Sequence, residues 1–186
     1  MKVVASVYNL DTTRKWNREA KVDMAADSST RVMTVPEIEG LSATWFVALR
    51  LEDPSDDLVS ENFYWLSTAP ETLEGEKSTY YHTPTKTFAD YTALASLSPV
   101  QLKLNSSSKP GSTTVSVTNP SKALAFGLRL KVLRATDREE VLPVLWEDNY
   151  FALLPGETRQ LTATYPAKVL GQATPVVEIK GWNVKP

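Results

Sequence analysis

The 186-residue sequence contains no cysteine and a single histidine. The absence of cysteine excludes a disulfide framework, a thiolate nucleophile and cysteine-ligated zinc. His82 lies in "YYHTPT", beside Thr83 and Pro84, and reads as a loop residue. A histidine-based triad also needs a nucleophile and an acid, and no G-x-S-x-G elbow is present. There is no HExxH, no paired histidine and no calcium-binding loop, so neither a metal nor another cofactor is expected. The seven glycines are scattered singly, which leaves no phosphate-cradling loop. No apolar run approaches the roughly 18 residues of a membrane-spanning helix. The opening "MKVVASVYNLD" lacks the apolar core of a signal peptide. The chain is also short of the roughly 250 residues typical of a complete (β/α)8 barrel.

The composition, 42% hydrophobic and 23% charged, is that of a folded globular protein. The net charge of −2 conceals an asymmetry. Residues 1–97 carry nine Lys and Arg against fifteen Asp and Glu, a net −6, whereas residues 98–186 carry eleven against seven, a net +4. The opposite signs fit two modules. The positive charges are not clustered as a nucleic-acid footprint would be, so no nucleic-acid partner is expected.

Period-two alternation dominates the second half. Val100, Leu102 and Leu104 fall on one face of "VQLKL", and Thr113, Val115 and Val117 on one face of "TTVSV". Phe126, Leu128, Leu130 and Val132 alternate with Arg129 and Lys131, Leu161, Ala163 and Tyr165 with Thr162 and Thr164, and Val177 and Ile179 with Glu178 and Lys180. Such alternation specifies strands with one buried face. "SSSKPGS", "TNPSK", "ATDREE" and "LLPGET" between them have turn chemistry. Short strands at this spacing predict a β-sandwich over 98–186.

The first half is also β-rich, with strands expected at 2–10, 20–26, 30–35, 44–52 and 59–67. "DPSDD" at 53–57 should close a hairpin. Residues 69–97 are polar and do not alternate; they read as an ordered connector with one helical turn near 90–96. The expected organisation is a sandwich over 1–68, the connector, and a sandwich over 98–186. "AFGLRLKVLRATD" in the second module corresponds to "MKVVASVYNLD" in the first. Two strands precede this element in the second module, and none in the first. The first sandwich is therefore expected to lack its first strands and to self-associate through an exposed sheet edge.

Two segments invite a reading as chemistry. "WEDNYF" (146–151) holds adjacent acids, Glu147 and Asp148. In a strand these point to opposite faces and cannot flank a glycosidic bond as a catalytic pair. Asp148 and Asn149 instead have short side chains suited to holding a turn. The aromatics Trp45, Phe46, Phe63, Tyr64 and Trp65 lie on two strands expected to pair. Core packing, a domain interface and a sugar-stacking platform are all open for them. Trp45, Tyr64, Trp65 and Trp146 are the candidate sugar or interdomain contacts.

"VYNLD" (7–11), "VSENFYWLS" (59–67), "VLPVLWEDNYFALLPGETRQLTATYP" (141–166) and "VVEIKGWN" (176–183) occur in this order. Together they resemble the C-terminal immunoglobulin-like region of family 2 glycoside hydrolases, in the exo-β-D-glucosaminidase and β-mannosidase branch. The resemblance implies two tandem immunoglobulin-like β-sandwiches that accompany a catalytic (β/α)8 barrel. That family's two catalytic glutamates lie in the barrel, so no catalytic residue transfers to this sequence. It implies a non-catalytic role supporting the barrel, in a retaining hydrolase of β-linked sugars exported by a bacterium. A carbohydrate-binding module and an adhesion or assembly repeat are the alternatives.

Overall fold

The computed structural model describes residues 1–185 and is all-β, as the alternation predicts. The chain divides into two compact units, Met1–Leu97 and Ser98–Pro186.

In the first unit, β1 (Lys2–Asn9), β2 (Arg14–Lys21), β3 (Thr44–Glu52) and β4 (Leu58–Ser67) form one antiparallel sheet in the order β2-β1-β3-β4. A separate ribbon pairs β5 (Thr72–Leu73) with β6 (Thr85–Thr87). The β3–β4 hairpin closes at 53–57. There the Asp53 carboxylate accepts from the backbone N–H of Ser55 at 2.7 Å and of Asp57 at 3.0 Å, the Asx geometry that makes Asp a turn residue. Ala5, Val7 and Val47 are buried on one face of the sheet, and Ser6, Thr44 and Phe46 on the other. The two central strands are thus covered on both sides.

The helical turn expected near 90–96 is a 3₁₀ turn at Thr92–Ser96 that buries Leu94 and contacts β3. Asp90 accepts from the Thr92 N–H at 2.9 Å and from its hydroxyl at 2.7 Å. These bonds hold the Asp90 carboxyl below its ordinary value.

Two strand expectations are corrected. Residues 22–43 form no strand, so "TRVMTV" at 30–35 is irregular and "AKVDMAA" at 20–26 is strand only at Ala20 and Lys21. The strand lies earlier, at Arg14–Lys21, which the alternation did not reveal. This segment pairs with β1 through its backbone and lies at the sheet edge, where charged side chains are tolerated and oppose further pairing. Val and Thr favour strands, but propensity makes a ladder only where a partner edge is offered.

In the second unit, β7 (Lys103–Lys109), β8 (Ser112–Thr118), β10 (Leu145–Trp146) and β12 (Thr158–Thr164) form a sheet in the order β10-β12-β8-β7. β9 (Ala125–Arg134), β11 (Phe151–Leu153) and β13 (Pro175–Lys180) form the other, in the order β11-β9-β13. Val115, Val117 and Leu161 from the first sheet pack with Leu128, Leu130, Phe151 and Leu153 from the second. These are the inward positions that the period-two pattern marks. Burying one such side chain contributes about 1.5–3 kcal/mol. Tyr165 joins a neighbouring cluster, and its hydroxyl shares a hydrogen bond of 2.7 Å with Thr113.

Candidate functional site

The polar interior of the second unit is organised by three asparagines. Asn183 is buried; its amide donates to the carbonyls of Ser98 at 2.8 Å and Leu124 at 2.7 Å, and its oxygen accepts from Phe126 N–H at 3.0 Å. Asn119 is fully buried and donates to the carbonyls of Ala123 at 2.8 Å and Leu153 at 2.9 Å, while Ser121 donates to its oxygen. Asn149 accepts from Leu130 N–H at 2.8 Å and donates to Leu130 O at 3.0 Å. In each case one amide serves backbone donors and acceptors together, which neither a carboxylate nor a hydroxyl of similar size can reproduce.

The sequence reading gave Asp148 and Asn149 a local turn-holding role. Both have it: Asp148 accepts from Asn149 N–H at 2.7 Å, and Asn149 accepts from Tyr150 N–H at 3.1 Å. Asn149 also reaches β9, nineteen positions away, and completes its ladder as a strand residue would.

The acids of "WEDNYF" are also engaged structurally. Glu147 pairs with Thr162 in both directions, its N–H donating at 3.0 Å and its carboxylate accepting at 2.7 Å. Asp148 forms an ion pair with Arg159 at 2.6 Å, and that guanidinium lies 4.9 Å from the Phe151 ring centroid. Among the described residues, no three His, Asp or Glu side chains are grouped to hold a metal ion. His82 is exposed at the end of the β5–β6 ribbon, and its N–H donates to the Thr79 hydroxyl.

The three aromatic candidates of the first unit do not share one face. The β3–β4 register pairs Trp45 with Leu66, Phe46 with Trp65 and Val47 with Tyr64. Trp45 and Tyr64 therefore share one face and Trp65 takes the other. Tyr64 and Trp65 are about half exposed and Trp45 is half-buried. Trp146, in the second unit, is half-buried and packs against both of that unit's core clusters.

The exposed aromatics of the second unit lie elsewhere, at the ends of the strands on either side of β9: Tyr150 just before β11 and Trp182 just after β13. Tyr150 follows Asn149, and Trp182 precedes Asn183. They are 67% and 63% exposed, which sets them apart from the half-buried Asn149 and the buried Asn183 beside them. Arg129 projects outward from β9, with its guanidinium carbon 5.9 Å from the Tyr150 ring centroid. Trp182 N–H donates to Phe126 O at 2.8 Å, and a Cβ at Gly127 would stand 3.9 Å from the Trp182 Cβ. Gly181 lets the chain reach this position: a Cβ there would meet Val184 at 2.6 Å and Leu128 at 2.7 Å.

A family model described as the exo-β-D-glucosaminidase Ig-fold domain matches residues 80–184. The chain belongs to this family. An exo-β-D-glucosaminidase of Streptomyces avermitilis is 36% identical to it over 187 aligned residues, covering 96% of this chain and 21% of that protein. The exo-β-D-glucosaminidase of Amycolatopsis orientalis is 38% identical, covering 95% and 18%. The crystal structure of the Amycolatopsis orientalis exo-chitosanase superposes with a TM-score of 0.90 at 36% identity, over 98% of this chain and 22% of that one. The chain thus spans about one-fifth of the length of these relatives. In this exo-β-D-glucosaminidase Ig-fold chain, the motif residues Asn149 and Asn183 are backbone pins. Tyr150 and Trp182 lie within the motifs that the resemblance rests on, yet the sequence reading did not single them out; two motif aromatics each preceding or following a pinning Asn were the signal that could have found them.

Proposed function

We propose that this chain is a non-catalytic β-sandwich region of a longer exo-β-D-glucosaminidase, one that supports a catalytic domain acting on β-linked glucosaminides. The observation that carries this reading is coverage: nearly the whole chain aligns with about one-fifth of enzymes named for that activity. The disposition of the acids agrees, because Glu147 and Asp148 are committed to the backbone and to Arg159. A solved relative carries p-nitrophenyl β-D-glucosamine in its complex, which makes that glycoside the natural assay substrate. The test compares this chain with the full parent polypeptide for p-nitrophenol release. Hydrolysis by the parent and none by this chain is expected; release by this chain alone overturns the proposal.

The free edge of β4 favours a second, compatible reading, self-association of the isolated chain. β4 pairs on one side only, with β3, and exposes Leu58, Val59, Tyr64 and Leu66. An edge with unpaired backbone groups and apolar side chains is a template for strand pairing. Light scattering across a dilution series should show mass falling toward the monomer, and a monomer throughout would remove this reading. A sugar-stacking platform at Trp45, Tyr64 and Trp65 has weaker support, since Trp65 faces away from the other two.

A further inference from the structure

Asn149 and Asn183 pin the backbone, and each has a largely exposed aromatic residue beside it. Tyr150 has φ +60°, a left-handed conformation that costs a bulky side chain about 1–2 kcal/mol and that Asn or Gly adopts more readily. Its ring, two-thirds exposed, adds little to the core in return. Strain held on an exposed side chain points to a use for that side chain. Trp182 is likewise exposed, in the turn after β13, where its backbone bonds to Phe126 and the next residue is the pinned Asn183. The two rings flank the outward row of β9, with Arg129 beneath Tyr150 and Gly127 beside Trp182. Tyr, Arg and Trp are the residue types that dominate protein interfaces, and here a rigid sheet presents them.

Charge narrows the choice of partner. Arg129, Lys131, Arg138 and Lys180 surround this face, and Glu140 and Glu178 are the acids paired with them. The face is cationic. A protonated glucosamine would be repelled, and so would a second copy of the same face. About four-fifths of each relative lies outside the span of this chain.

We propose that the Tyr150–Arg129–Trp182 face is a docking surface for an acidic, partly apolar face of another domain of the parent polypeptide. The proposal rests on the reading above that such a parent exists, and it adds where the contact is made. The test is hydroxyl-radical footprinting of this chain and of the full parent, with glucosaminidase activity measured on the same parent sample. Oxidation of Trp182 and Tyr150 is expected to be about tenfold slower in the parent, the ratio that a docked population ten times the open one produces. The variant Tyr150→Asn should leave the unfolding of the isolated chain unchanged or slightly stabilised, and should lower the melting temperature of the parent. Equal oxidation in the two samples, or a parent whose melting is unaffected by the variant, overturns the docking surface even if the parent is active. Quenching of Trp182 fluorescence by glucosamine oligomers in the isolated chain would also overturn it, marking a sugar site instead. A parent that protects Trp182 but does not hydrolyse the glucosaminide leaves the docking surface standing and removes the substrate reading.

Discussion

The two units use polar groups in opposite ways. In the second, three buried or half-buried asparagine amides bond to the backbone and tie strands and loops into the sandwich. In the first, ion pairs lie at the surface, where Lys2 reaches Glu52 and Asp56, both at 2.7 Å, and inside the sheet Asn17 donates to the buried Ser6 at 2.8 Å. Its interior also holds Thr44 Oγ1, the one buried side-chain polar atom among the described residues without a hydrogen bond. A bonded amide in a low-dielectric interior fixes one arrangement of the chain, whereas an exposed ion pair contributes little and is screened by salt. The second unit should therefore be the more cooperative and the more sensitive to single polar substitutions.

The largest test of that contrast is Asn183→Ala. It strands the Phe126 N–H and the carbonyls of Ser98 and Leu124. A cost of about 3–5 kcal/mol is expected, read as a lower urea midpoint for the second unit with the first unchanged. Asn183→Asp should do nearly as much damage despite its matching shape, because a carboxylate would face two carbonyl oxygens. Asn149→Ala should cost about 2 kcal/mol, since Leu130 loses both its partners on that side. If either change proves neutral, the pinning role is wrong.

In the first unit Thr44→Val is expected to stabilise by about 1 kcal/mol, by removing an unbonded hydroxyl from the interior. A destabilisation there would show that the hydroxyl has a partner in solution.

The smallest effect is electrostatic. The Lys2 ammonium holds the Asp56 carboxyl below its ordinary value, so the contribution of Asp56 is complete above about pH 4 and is lost as the pH falls through the lowered value. Asp56 raises the pKa of Lys2 in turn, and that contribution disappears only at strongly alkaline pH. Unfolding of the first unit measured from pH 5 to 9 should show no dependence on this pair, and Asp56→Asn should flatten the acid limb below about pH 4.

What the sequence made legible follows the same division. In the second unit, alternation marked Val115, Val117, Leu128, Leu130 and Leu161 as core because each strand has one buried face, the condition under which period two carries information. In the first, β1 and β3 are covered on both faces and β2 is a charged edge, so the pattern faded. Arg14–Lys21 was missed, and 30–35 was credited with a strand on propensity alone. The family motif was visible, and so was its structural character, but the reach of Asn149 to Leu130 was not, because nothing local in a sequence reports a bond across nineteen positions. The exposure of Tyr150 and Trp182 was not legible for a related reason. Trp65 and Trp146 stood out by residue type, whereas the exposure of Tyr150 and Trp182 depends on which neighbours turn inward.

Gly181 has a consequence for how the last strand finds its place. β13 is an edge strand held by β9 alone, and such a strand can in principle settle one residue out of step. A slip in either direction would bring Lys180 or Trp182 to the spot where even a Cβ lies 2.7 Å from Leu128 and 2.6 Å from Val184. The missing side chain thus acts as a keyway: it admits one alignment of the closing strand and rejects its neighbours, so the chain's last ladder is registered by an absence.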